Sequence, residues 1–98
     1  MAVGQKHDYE PLLPPGRHQM TLSDVWDRFV VPFGEPPSRT MIFWNLEQVV
    51  QDLLSAKIPC DLWLDGSFLT TKPDPDDLDI TIVIVMKSLN LLMKISLN

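Results

Sequence analysis

Residues Asp61–Met86 read DLWLDGSFLTTKPDPDDLDITIVIVM, and this stretch decides the fold. Leu62, Trp63 and Leu64 form a short apolar run that stops at Gly66, and Ile80–Met86 is a longer β-branched run suited to a buried strand. Two neighbouring strands therefore bracket one polar loop. Asp77 and Asp79 stand at the start of the second strand, where a period of two turns both carboxylates to the same face, roughly 6.5–7 Å apart along the strand. Both look back at the turn formed by Gly66 and Ser67.

Working outward, Pro59 closes a helix and opens the strand Asp61–Asp65, with Leu62 and Leu64 on one side and Trp63 on the other. That helix is predicted from Arg39 to about Ala56, with Ser38 as its N-cap. Ile42, Leu46, Val49, Val50, Leu53 and Leu54 form its core stripe, and Phe43 and Trp44 widen it. Glu47 and Asp52 lie off the stripe and read as a solvated face. Further upstream, Leu22, Val25, Trp26, Phe29 and Val30 recur at helical spacing behind Thr21, an N-cap, with Asp24 suited to the helix start; Pro32 ends this helix near Val31. Residues 1–20 read as an extended or disordered lead-in, and 21–98 as the folded domain. The chain's two imidazoles, His7 and His18, lie in the lead-in and read as solvated rather than as ligands. Downstream of Met86 the pattern is ambiguous: Leu89, Leu92 and Met93 share a helical face, whereas Ile95 and Leu97 alternate as a strand does.

Ninety-eight residues make one small domain, able to bury about 60–70% of the surface its unfolded chain exposes. Eight basic and 13 acidic residues give a formal charge of −5, which argues against a general binder of nucleic-acid backbones. The single cysteine, Cys60, has no internal disulfide partner and no second thiol for a metal-ligand spacing, so a reducing, cytoplasmic compartment is the simplest reading. The N-terminal residues lack the apolar core of a signal peptide, and no window reaches the roughly 18 apolar residues of a membrane helix.

The order of Gly66-Ser67, nine residues, then Asp77-Leu78-Asp79-Ile80 resembles the hallmark of the nucleotidyltransferase superfamily, the DNA polymerase beta-like group. The wider run is similar to a group of small bacterial and phage proteins of that superfamily. It comprises Leu13-Pro14-Pro15-Gly16-Arg17-His18 and then Ile58-Pro59 through Asp79, with Phe68, Thr70, Lys72 and Pro75 in place. The likeness spans about Leu13 to Ile84. It implies a minimal nucleotidyltransferase-like α/β (α+β) fold, a short mixed sheet packed by helices, in a truncated or minimal form.

The resemblance also implies a chemistry. Attack on the α-phosphorus of a nucleoside triphosphate needs divalent cations to neutralise the phosphates and carboxylates to hold them, which assigns Asp77 and Asp79 as catalytic metal ligands for Mg²⁺ or Mn²⁺. Two like charges repel by roughly 1 kcal/mol at 4 Å in water and by several-fold more in a cleft, and a cation removes that cost. Gly66 lets a phosphate approach the backbone, Ser67 offers an N–H and a hydroxyl, and Lys72 adds a charge. The acceptor is a hydroxyl of a protein, a nucleic acid or a small molecule.

Active members carry a third carboxylate on a later strand, and this chain has no Asp or Glu after Asp79. The alternative is therefore a catalytically degenerate nucleotide-binding or protein-interaction module, such as a toxin-antitoxin or phage-defence subunit. On spacing alone, Gly66-Ser67 and Pro73–Asp77 also read as two solvated polar turns. A calcium loop of the EF-hand type is excluded by the missing glycine and terminal Glu. The apolar strand Ile80–Met86 needs cover on both faces, which implies self-association or a protein partner.

Overall fold

Thr21 starts the first helix by a reciprocal cap. Its Oγ1 accepts from the Asp24 N–H (3.1 Å) and the Asp24 carboxylate accepts from the Thr21 N–H (3.0 Å), which satisfies two donors that a helix start leaves open. A computed structural model describes residues 9–86 and 91–97 of the chain, and there the fold is α+β. The order is α1 (Leu22–Phe29), a 3₁₀ turn (Val31–Phe33), α2 (Pro37–Ser55), β1 (Cys60–Asp65), a second 3₁₀ turn (Ser67–Leu69), β2 (Asp79–Met86) and β3 (Leu91–Leu97). His7 lies outside the described residues.

The sequence placed the start of α2 too late. Pro37 occupies its first turn behind Pro36, where a fixed φ suits the helix and the missing N–H costs nothing; the Ser38 hydroxyl donates instead to Asp74 Oδ1 at 3.0 Å. At the other end Lys57 adopts φ 56°, donating to Leu54 O while Ile58 donates to Leu53 O. That pair of bonds is a Schellman closure, with Lys57 at a position glycine usually fills, and Pro59 follows once the helix has ended.

β2 is central, as its apolar run implies, with the order β1-β2-β3. Both pairings are antiparallel, Cys60 to Asp65 against Ile84 to Asp79 and Ile80 to Met86 against Leu97 to Leu91. The sheet is therefore not mixed. Residues 66–78 contain no crossover helix, and a parallel partner would need one. The undecided tail is a strand over Leu91–Leu97.

The helices cover one face of the sheet. Val25, Phe29, Phe43 and Leu46 meet Phe68, Leu78, Ile80 and Ile82 in a single core. Ile42, Val49, Val50 and Leu53 pack at its edge, but Leu54 is 66% exposed and Trp44 57% exposed. The buried line of α2 runs through 39, 43, 46, 50 and 53, spaced by four and three, and the two outliers fall beside it. Glu47 and Asp52 are exposed, as expected of a solvated face.

That line begins with a charge. Arg39 is fully buried, and its guanidinium donates to four main-chain carbonyls: Nη1 to Phe29 O (2.9 Å) and Phe68 O (2.7 Å), Nη2 to Thr70 O and Lys72 O (both 2.7 Å). It also lies 3.6 Å over the Phe33 ring. Burial lowers its pKa, but a guanidinium stays protonated at neutral pH.

Arg39→Met keeps much of the volume and strands these carbonyls, so it is expected to destabilise the fold by about 3 kcal/mol or more. Arg39→Lys, which cannot span four acceptors from one plane, recovers only part of this. Urea unfolding of both variants checks the order.

Candidate functional site

Gly66 sits at φ 109°, ψ −179°, a conformation side-chain-bearing residues avoid. A Cβ there would come within 3.0 Å of Asp77 O and 3.1 Å of Asp77 Oδ2. The two halves of the spaced motif are thus in direct contact. The Ser67 N–H donates to Asp77 Oδ1 at 3.0 Å and its hydroxyl to the same oxygen at 2.6 Å. In return the Asp76 and Asp77 N–H groups donate to Ser67 Oγ (2.9 and 3.2 Å), and Phe68 N–H donates to Asp77 O (3.0 Å). The Ser67 hydroxyl and then its N–H, assisted by the field of Lys72, hold the Asp77 carboxyl below its ordinary value of 3.8.

The loop between these ends is held from three sides. Arg39 fixes the carbonyls of Phe68, Thr70 and Lys72 from within. Thr70, itself buried, donates its hydroxyl to Ser67 O at 2.7 Å, and Phe68 is a fully buried core residue. From outside, the lead-in pairs with it: Leu12 N–H donates to Leu69 O and Thr71 N–H to Glu10 O, both at 2.9 Å. Residues 10–12 are thus an ordered strap. Pro75 is buried, and Lys72 Nζ binds Asp76, which raises the lysine pKa. Lys72 reaches the site by its field on Asp77, while its ammonium is bonded to its neighbour four residues on.

Asp77 precedes β2 rather than lying in it, yet Leu78 and Ile80 are buried while Asp77 is exposed and Asp79 half-buried. The alternation puts both acids on the side of the sheet away from the helices. Asp65 is the direct cross-strand partner of Asp79, and residues so paired share a face. Its Oδ1 accepts from the Gly66 N–H at 2.8 Å; the Asp79 carboxylate accepts no hydrogen bond from the described residues. Two residues back along β1, Trp63 lies under the Arg17 guanidinium, 4.4 Å from the ring centroid. His18 is tied by its Nε2 to Pro14 O at 2.8 Å. Among the described residues, no group of three or more His, Cys, Asp or Glu is placed to hold a metal ion.

A protein-family model, described as a family of unknown function (DUF6932), matches residues 5–97. The chain belongs to that family. No curated protein and no solved structure matches the chain. In this DUF6932 chain the fold brings Gly66 and Ser67, singled out in the sequence, against Asp77 and sets Asp79 opposite Asp65, while Arg39, which the sequence reading does not single out, braces the loop between them. The signal was present: Arg39 falls at heptad-like spacing from Phe43 and Leu46, on the apolar line.

Ser67→Ala is expected to raise the Asp77 pKa toward the ordinary value, as read by carboxyl ¹³C titration. Because the folded value is depressed, the contribution of Asp77 to stability is complete above its unfolded pKa of about 3.9 and is lost as pH falls through the lower folded value. The stability gap between wild type and Ser67→Ala should therefore close in acid. Gly66→Ala is expected to cost about 1–3 kcal/mol, from backbone strain and the approach to Asp77.

Proposed function

We propose that this protein binds a nucleoside triphosphate together with Mg²⁺ or Mn²⁺, in a nucleotidyltransferase-like manner, and transfers a nucleotide to a hydroxyl acceptor in the cytoplasm, the α–β phosphoanhydride breaking to release pyrophosphate. Asp77 and Asp79 are the metal ligands in this reading, and Gly66 and Ser67 meet the phosphates beside Lys72. The observation that carries it is the Ser67 contact: both donors of that residue already address an oxyanion, the Asp77 carboxylate, and two residues on stands Asp79, whose carboxylate accepts no hydrogen bond from the described residues. A cation would relieve the repulsion of the acids that the β1–β2 register brings together. Asp65, opposite Asp79, is a further acid on that face.

A second reading, a module that binds nucleotide or protein without turnover, draws on a different observation. Phe68, Thr70, Lys72 and Pro75 each have a structural task, and Met41, Trp44 and Leu54 expose apolar surface on α2. Such surface suits a protein partner or self-association.

Calorimetry with each nucleoside triphosphate tests the site first. The expected result is binding that needs Mg²⁺ or Mn²⁺ and weakens about tenfold or more, ~1.4 kcal/mol, in Asp79→Ala. Equal affinity in that variant would overturn the metal-ligand assignment. Single-turnover assays with labelled triphosphate then decide between transfer and binding alone.

A further inference from the structure

Under the reading just proposed, Ser67 serves the phosphates and Asp77 the cation, yet the two side chains are committed to each other. Ser67 has two donors in this neighbourhood, one N–H and one hydroxyl hydrogen. Both end on the same oxygen, Asp77 Oδ1, at 3.0 and 2.6 Å. The hydroxyl oxygen also accepts from the Asp76 and Asp77 N–H groups. Ser67 therefore has nothing left with which to meet a phosphate, and one oxygen of Asp77 is held back from a metal.

We propose that this contact is an autoinhibitory latch: the Asp77 carboxylate stands in for a phosphate on Ser67, and a divalent cation that draws it away releases the donors for a polyphosphate. The inference rests on the proposed triphosphate site and adds its order of assembly. The latch can open without dismantling the loop. Phe68 N–H holds Asp77 by its main-chain oxygen, and Arg39 and Thr70 hold residues 67–72 by other atoms, so rotation of one exposed side chain is enough. Lys72, whose field favours the ionised carboxylate, is bonded to Asp76 and does not block the rotation. Cation and polyphosphate then bind with positive coupling, and by linkage each raises the affinity of the other by the same factor.

The test measures inorganic tripolyphosphate binding to the full chain, in EDTA and in Mg²⁺. Wild type should bind weakly in EDTA and roughly tenfold or more tighter in Mg²⁺, within the usual range of coupling between sites. Asp77→Ala should gain roughly tenfold in EDTA, and adding Ser67→Ala should reverse much of that gain. Asp79→Ala removes an equal charge from the same face and should gain nothing in EDTA. An equal gain in Asp79→Ala would reduce the effect to net charge and overturn the latch. Tight Mg²⁺-dependent binding by wild type with no gain in Asp77→Ala would overturn the latch and leave the proposed function standing. A gain in Asp77→Ala with no binding by wild type in Mg²⁺ would overturn the opening of the latch by a cation together with the metal-dependent reading; no binding by any form would overturn both. Should Asp77→Ala fail to fold, NMR of the wild type decides. Mg²⁺ alone should shift the Ser67 amide and the Asp77 carboxyl together, and an unmoved Ser67 amide would overturn the proposal.

Discussion

The guanidinium of Arg39 gathers four carbonyls from three parts of the chain: the end of α1, the 3₁₀ turn after Gly66, and the loop beyond it. Neutral main-chain acceptors satisfy this buried cation, and only its Nε lacks a partner among the described residues. Burial of such a group is costly unless nearly every hydrogen finds an acceptor, so the geometry of the loop is bound to the geometry of α2. Phe33 on one ring face and Phe68 nearby complete the enclosure. Where Arg39 sits, Phe68, Thr70 and Lys72 must follow, and Ser67 with them.

This constraint changes how the motif residues are understood. Phe68 and Thr70 belong to the interior, Pro75 is buried, and Lys72 is paired with Asp76. These members of the motif shape the loop from within. Those that face outward are Ser67, Asp77 and Asp79, and two of the three are bonded to each other.

Local rules made much of this visible in the sequence. The cap at Thr21 is a matter of four consecutive residues, and β2 was legible because its β-branched run suits a central strand. At the start of α2 two capping rules compete, and the Pro36-Pro37 pair outranks Ser38. Hydrophobicity alone turns Trp44 and Leu54 inward, but their angle on the helix leaves them exposed, whereas the charge of Arg39 hides its place on the apolar line. Long-range facts had no local signature. These include the facing of Asp65 and Asp79, the pairing of β3, and the bonding of Ser67 to Asp77, though the last agrees with the spacing that singled both residues out.

The strap at residues 10–12 bears on the order in which the molecule comes into being. Its bonds to Leu69 and Thr71 join segments roughly sixty residues apart, and closing so long a loop is entropically slow compared with forming a helix or a hairpin. During synthesis the early segment must wait, unpaired, until the loop has left the ribosome. The bonds between strap and loop therefore form only once both distant stretches of the nascent chain are free to meet.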